Sequence, residues 1–210
     1  MTIFRIRTAK ACDYEEFAEA ETLAWQDSEV PIINREQFLT WLEIFPEGLL
    51  LVETEGKICG HHFSQIREFD VFNSHDNRCW DELTDQGFCR KTHNLNGNVL
   101  YGVSISASVR GAGRFVFEAA VKQTHSLNLP RYVGACRIPG LSTYAESLNV
   151  NADTVVSEYV QAVVADKRKD KTLSALLSVP GVRFVRLVPN YFTDAQSKNW
   201  ACLICYDAGA

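Results

Sequence analysis

No stretch of this sequence approaches the roughly 18 consecutive apolar residues that a membrane-crossing helix needs, and no basic run is longer than Lys167-Arg168-Lys169. The first absence argues against a helical membrane protein. The second, with 21 Lys+Arg against 26 Asp+Glu and a net charge of −5, argues against binding to a nucleic-acid backbone. The N-terminus, Met1 to Arg7, alternates like a strand and lacks the apolar stretch and cleavage site of a secretory leader, so the cytoplasm is the expected compartment. Zinc-type cysteine pairs are missing too: there are seven cysteines, an odd number. Only Cys202 and Cys205 have two residues between them, inside the apolar run Ala201-Cys202-Leu203-Ile204-Cys205-Tyr206. Without a second ligand pair or an exposed helix start, they read as reduced cysteines packed as small apolar groups. No metal centre is expected.

What is present suffices for one core: 46% of the 210 residues are hydrophobic, which fits a single domain over residues 1–210 that needs no staples. Residues 3–7 alternate with period two and read as a strand. Asp13 stands to cap a helix with the apolar stripe Phe17, Ala20, Leu23 and Ala24, leaving Glu15, Glu16 and Glu19 outside it. A second helix is expected over 35–45, then a hairpin of 49–53 and 57–66 about the turn Thr54-Glu55-Gly56. Residues 67–97 read as polar loop. A strand over 98–108, a helix ending near 127 and a strand over 131–138 follow. Next comes a helix capped by Asp153, with Val155, Val156, Tyr159, Val160, Val163 and Val164 on one side and Lys167-Arg168-Lys169 in its last turn. Strands Val182–Val188 and 200–206 finish a mixed α/β domain.

The strand at 98–108 runs straight into Arg110-Gly111-Ala112-Gly113-Arg114-Phe115 and then a helix. Glycines there let the backbone close around an anion, a helix start presents unpaired N–H groups at the positive end of its dipole, and Arg110 and Arg114 add charge. The residues alone admit two readings: a pyrophosphate cradle, or a tight strand-to-helix turn without a ligand. The pattern is neither a Walker A loop nor a dinucleotide fingerprint.

The stretch Leu100-Tyr101-Gly102-Val103-Ser104-Ile105-Ser106 followed by Arg110-Gly111-Ala112-Gly113 resembles the central motif of the GNAT acyl-CoA N-acyltransferases, R/Q-x-x-G-x-G/A. Three further blocks resemble one subgroup, whose domains occur fused to carbon–nitrogen hydrolases and have relatives that load polyketide assembly lines. Trp80-Asp81-Glu82-Leu83-Thr84-Asp85-Gln86-Gly87 is similar to its W-x-x-[IL]-T-x-x-G. Gly134-Ala135-Cys136-Arg137-Ile138-Pro139-Gly140 is similar to its G-A-x-R-I-P-G, and Val188-Pro189-Asn190-Tyr191-Phe192 to its L-P-N-Y-L. The resemblance implies the GNAT fold, a mixed central β-sheet flanked by helices, with an insertion at about 147–180 that covers the acceptor site. It implies acetyl-CoA or another acyl-CoA as co-substrate, bound by the backbone of Ser104 and Ile105 and by Arg110, Gly111, Ala112, Gly113, Arg114 and Phe115.

It also implies a tyrosine, Tyr144, that protonates the departing thiolate; a phenol suits this, staying a proton donor at neutral pH. The same ring is equally readable as helix packing. Three departures stand out. Phe115 replaces the motif's last Gly/Ala, Ser106-Ala107 replaces the usual His-Pro, and no histidine follows His125 where loading relatives keep a catalytic one, near Asp170, Ser174 and Ser178.

The implied reaction is direct acyl transfer to a primary amine of a small molecule. Transfer to a carrier-protein thiol and a catalytically silent acyl-CoA-binding module are the alternatives. GNAT domains often pair through their final strands, so a homodimer belongs to the same expectation. An amine acceptor needs a base, and the central strand has no Asp or Glu. The candidates are His61 and His62, which as neighbours on one strand point to opposite faces, with Glu53 and His93; each is also readable as a solvated or packed side chain. Cys136, in a buried strand without a neighbouring histidine, reads as inert.

Overall fold

The computed structural model describes residues 2–26 and 30–209. Its seven strands are β1 (Arg5–Thr8), β2 (Leu49–Thr54), β3 (Lys57–Arg67), β4 (Val99–Ala107), β5 (Arg131–Arg137), β6 (Val182–Val188) and β7 (Ala201–Asp207). They form one sheet in the order β1-β2-β3-β4-β5-β7-β6. Neighbours run antiparallel except β4 and β5, which are parallel. The parallel pair needs a crossover, and α4 (Ala112–Ser126) supplies it. The other helices are α1 (Tyr14–Trp25), α2 (Arg35–Ile44), α3 (Trp80–Thr84), α5 (Leu141–Leu148), α6 (Ala152–Val164) and α7 (Leu173–Leu177).

Strand alternation divides the apolar residues between two faces. On one, Val116, Phe117, Ala120 and Val121 of α4 pack on Leu50, Val52, Leu100, Tyr132, Cys202 and Ile204, and α5, α6 and α7 extend the same cluster. On the other, Phe17 and Ala20 of α1 and Phe38 and Trp41 of α2 cover Leu49, Leu51 and Phe63. Tyr101, Val133, Leu203 and Tyr191 form a third cluster, which alternation places on this second face. Residues 147–180 hold α6 and α7, and α6 buries Val155, Val156, Tyr159, Val160 and Val163, roughly 1.5–3 kcal/mol for each large apolar side chain.

Every expected strand and the main helices are present, with five corrections. Helix α1 buries Phe17, Ala20 and Glu21, whereas Leu23 is 59% exposed: its inward stripe is 17-20-21, with a carboxylate in it. Asp13 puts its side chain on Arg7 and the Lys10 N–H instead of on the helix. Helix α6 is capped by Asn151, which accepts from the Asp153 N–H at 2.9 Å, because Asp153 takes the Trp200 indole N–H. That helix stops at Val164, so Lys167-Arg168-Lys169 lies beyond it, and the Arg168 guanidinium sits over the Tyr144 ring. Within 67–97, α3 forms where a polar loop is expected, the Glu82 carboxylate reaching back to the Cys79 N–H at 2.9 Å to occupy an orphan donor.

Candidate functional site

Strands β4 and β5 share only three rungs, Leu100–Tyr132, Tyr101–Val133 and Gly102–Gly134. Beyond Gly102 they separate, although β4 continues pairing with β3 to Ala107 and β5 with β7 to Arg137. The sheet is therefore open between two intact halves, and the β5-facing edge of residues 103–107 has no partner strand among the described residues. Two features set the opening. The Tyr132 hydroxyl lies where a Cβ on Gly102 would stand and 3.1 Å from one on Gly134, so the last rung needs glycine on both strands. Immediately afterwards the β3–β4 register shifts, Phe63 facing Ser104 and Ser64 facing Gly102. Val103 is the extra residue of a bulge, which bends the strand that carries it. The bulge also changes the phase of alternation: Val103 packs on the α1–α2 face, and Ser104 and Ser106 then point to that face too, both reaching His61.

The subgroup-like motif around Trp80 explains itself at this bulge. The Trp80 indole N–H donates to the Val103 carbonyl at 2.8 Å, and the Trp80 amide donates to the Tyr191 carbonyl at 2.7 Å. The Thr84 hydroxyl donates to the Trp80 carbonyl and accepts from the Gly87 N–H. Gly87, at φ 84°, has the Trp80 ring 2.6 Å from where a Cβ would be, and its carbonyl accepts from the Trp41 indole. Tyr191 closes the circuit through its hydroxyl, 2.9 Å from that of Tyr101. Arg137, ending β5, forms a fork on Asp194 at 2.9 and 2.7 Å and lies over the Trp25 ring, while Ser197 accepts from the Ile138 N–H. The motif blocks are thus the parts that fix the two lips of the opening.

At the end of β4 the chain turns through Arg110 and Gly111 into α4. Gly111 has φ 92°, a conformation that favours glycine. The Ala112 amide is taken by Val109 and the Phe115 amide by Gly111, while those of Gly111, Gly113 and Arg114 have no acceptor among the described residues. Arg110 and Arg114 are exposed and form no ion pair there. A Cβ on Gly113 would meet only the Ala107 methyl, at 3.5 Å. Phe115 does not enter the core: it is 39% exposed, its ring 5.5 Å from that of Phe4. Ser104 and Ile105 lie on the open segment of β4. The residues picked out for a pyrophosphate and for an extended arm therefore form one continuous surface, the open strand edge leading into free amides and two guanidinium groups.

Tyr144 stands on α5, against the α4-side cluster. Its hydroxyl donates to Glu158 at 2.6 Å, and that carboxylate raises its pKa, keeping the phenol protonated. The base candidates separate clearly. Glu53 accepts from Arg7 at 2.6 Å between β1 and β2, and His93 accepts the Ile66 N–H level with Leu100, at the closed end. His62 faces α4, hydrogen-bonded to the Tyr132 hydroxyl at 2.8 Å and the Ser64 hydroxyl at 3.2 Å; burial, then His61, push its pKa down to about 3. His61 takes the opposite face, as adjacent strand residues must. Its Nε2 is 2.9 Å from Ser104 Oγ, and its Nδ1 is 3.2 Å from Ser106 Oγ and 3.4 Å from Glu21 Oε1. Burial lowers its pKa while Glu21 opposes that shift. Glu21 is absent from the sequence-derived candidates; a carboxylate four residues from Phe17, in the buried register of α1, is the signal that marks it.

Cys136 is buried, its pKa raised by desolvation, with Cys202 opposite it on β7. Asp170 accepts from the Tyr159 hydroxyl and from the amides of Gly140, Thr172 and Leu173, and its own N–H donates to the Ser174 hydroxyl oxygen at 2.9 Å. Ser178 bonds the Ala175 carbonyl. These fasten α6 and α7 to the start of α5. Among the described residues no group of three or more His, Cys, Asp or Glu is arranged to hold a metal, and no helix is long and apolar enough to cross a membrane.

No family model matches the chain. It is 31% identical over 175 residues to the uncharacterized N-acetyltransferase YkwB of Bacillus subtilis, covering 81% of this chain and 73% of that protein. It is 32% identical over 165 residues to the probable hydrolase YhcX of the same organism, covering 77% of this chain but only 30% of that relative's length. Among solved structures, the GphF GNAT-like decarboxylase in complex with isobutyryl-CoA superposes with a TM-score of 0.75 at 18% identity, over 97% of this chain and 98% of that one. The loading domain of CurA from Lyngbya majuscula gives 0.67 at 18% identity, over 98% of each chain. At that identity the structural likeness concerns the fold.

Proposed function

Because the chain belongs to the GNAT family of N-acyltransferases, we propose that it transfers an acyl group, most simply acetyl, from acyl-CoA directly to a primary amine of a small molecule. The observation that carries this reading is the opening between β4 and β5, continuous with the unpaired amides at Gly111, Gly113 and Arg114. An extended amide-bearing arm can hydrogen-bond the free edge of residues 103–107 as an added strand would. Pyrophosphate then reaches the free N–H groups and the positive end of α4, with Arg110 and Arg114 beside it. Tyr144 supplies the proton to the leaving thiolate from the α4 face. The residues present fit coenzyme A: the amides lack acceptors, Gly113 leaves room for the phosphates, and Phe115 rests on Phe4.

The test is a calorimetric titration with acetyl-CoA of the wild type, G113A and G113D. Saturable micromolar binding is expected for the wild type. G113A should fold and retain most of that affinity, since its methyl meets only Ala107 at van der Waals distance. G113D should abolish binding by placing a carboxylate among the amides. Equal affinity in G113D would move the phosphates elsewhere. Tighter binding of malonyl-CoA, with acyl transfer to a carrier-protein thiol, would favour that acceptor over an amine; binding without turnover would favour a silent acyl-CoA-binding module, and no binding of either would overturn the acyl-CoA reading.

A further inference from the structure

The α1–α2 face carries a chain of polar side chains that packing does not require. Glu21 and His61 are each 1% exposed, among Phe17, Phe38 and Trp41. Removing a carboxylate and an imidazole from water is costly, and an apolar pair of similar volume would fill the space at no such cost. The pair is held in a fixed arrangement. Glu21 Oε1 accepts from the Trp25 indole at 3.1 Å and its Oε2 from the Ile33 amide at 3.3 Å, which leaves Oε1 3.4 Å from His61 Nδ1. A carboxylate can only accept, and the Ser106 hydroxyl 3.2 Å from the same nitrogen can accept as well, so both suit the imidazole tautomer with hydrogen on Nδ1. Nε2 is then the acceptor, and the Ser104 hydroxyl donates to it across 2.9 Å. Of the three side chains, Ser104 alone is incompletely buried, and it stands on the open part of β4, directly after the Val103 bulge.

We propose that Ser104, His61 and Glu21 form the proton relay that deprotonates the attacking nucleophile, with Ser104 Oγ as the atom that meets it. This rests on the acyl-transfer reading above and supplies the base missing from the central strand. The nucleophile's nitrogen forms its bond to the thioester carbonyl carbon as the C–S bond breaks. The nitrogen's proton passes to Ser104 Oγ while the Ser104 hydroxyl proton passes to His61 Nε2, and Glu21 stabilises the imidazolium. The thiolate takes the Tyr144 proton. The relay returns its proton through Ser104 to solvent, and Tyr144 regains one, so no co-reactant is consumed. Ser104 is the catalytic residue of the three; His61 acts through it, and Glu21 positions His61. The relay approaches from the α1–α2 face and Tyr144 from the α4 face, so base and acid reach the reacting carbon from opposite sides of the sheet.

The groups facing the His61 ring are Glu21 and Phe17 of α1, Trp41 of α2, and Ser104 and Ser106 of β4; His62 lies on the other face. With burial lowering the His61 pKa, the ring is neutral and able to accept at pH 7, and the rate should fall on the acid side as it protonates.

The experiment measures thiol release from acetyl-CoA with hydroxylamine and with a panel of simple primary amines as probe nucleophiles, from pH 5 to 9. The proteins are wild type, S104A, H61Q and E21Q, with acetyl-CoA affinity and thermal unfolding measured alongside. S104A and H61Q should lower kcat about 100-fold or more, the ordinary worth of general-base catalysis, with acetyl-CoA affinity within a few-fold of wild type. The acid limb of the wild-type profile should vanish in H61Q and move in E21Q. S104A removes one oxygen, so it remains informative if H61Q does not fold. A folded S104A with unchanged kcat and pH profile overturns the relay, as does an acetyl adduct on Ser104, which would make it a nucleophile instead. Normal acetyl-CoA binding without thiol release to any probe also overturns it while leaving the CoA site standing. Failure of the wild type to bind acetyl-CoA overturns the acyl-transfer reading itself.

Discussion

The indole N–H of Trp80 donates to the main-chain carbonyl of Val103, the extra residue in the β-bulge, at 2.8 Å. A bulge interrupts a ladder and leaves a backbone group to be satisfied elsewhere. Here a side chain from a five-residue helix takes that carbonyl, and the same tryptophan's amide holds the β6–β7 connection at Tyr191. One residue therefore joins the bent strand to the loop on the far side of the opening.

W80F keeps most of the ring and removes this donor. Leaving a buried carbonyl unsatisfied costs about 1–3 kcal/mol. The expected result is a lower thermal midpoint together with acetyl-CoA affinity weakened about ten-fold, because the bulge loses its support. Thermal unfolding and calorimetry on one preparation check it. A stability loss with unchanged affinity would show that Trp80 supports the fold without shaping the opening.

Y144F should separate turnover from binding. The Tyr144 hydroxyl donates to Glu158 and its ring packs against Tyr159 and Arg168, contacts that phenylalanine largely keeps. Turnover should fall about ten-fold or more while acetyl-CoA affinity stays within two-fold, read from steady-state thiol release beside a titration. An equal loss in both, or in neither, would make the tyrosine a packing residue.

The second histidine of the pair predicts a pH effect on stability. Burial holds the His62 pKa at about 3 in the folded protein against 6.5 for an imidazole in water. As pH falls below 6.5 the unfolded chain binds a proton that the native ring refuses, so this group's contribution to stability declines progressively towards pH 3. Replacing it, as in H62Q, should flatten the acid side of a plot of stability against pH between those values. Denaturant unfolding at a series of pH values measures the slope, and an unchanged slope in a folded variant would place the acid sensitivity in other groups.

The strands and the strand-to-helix turn were legible because their signals are local: period-two alternation, an Asx-free glycine turn, apolar stripes at helical spacing. The motif blocks were legible as blocks, and their contacts with one another were not, since nothing local tells Trp80 that Val103 is 23 residues away in sequence and 2.8 Å away in space. Helix α3 escaped because five residues are too few for a periodic stripe. The bulge escaped because it is a mismatch between two strands and belongs to neither alone. It decides, however, which side chains of β4 face His61, so reading His61 and Ser104 separately could not bring them together. Glu21 was hidden by its type: a glutamate in an otherwise acidic helix reads as solvent-facing until the packing of Phe17 and Ala20 shows which way it turns.

Strand β7 is last in sequence among the seven yet lies between β5 and β6 in the sheet. During synthesis the half built from β1 to β4 has all its partners early, while β5 has only three rungs with β4 to hold it until residues 201–207 emerge and slot in beside it. The order of events is thus written into the topology. The half of the domain carrying Arg137 and Asp194 closes last, and a nascent chain stalled before residue 201 would present two unpaired strand edges, the usual invitation to aggregation.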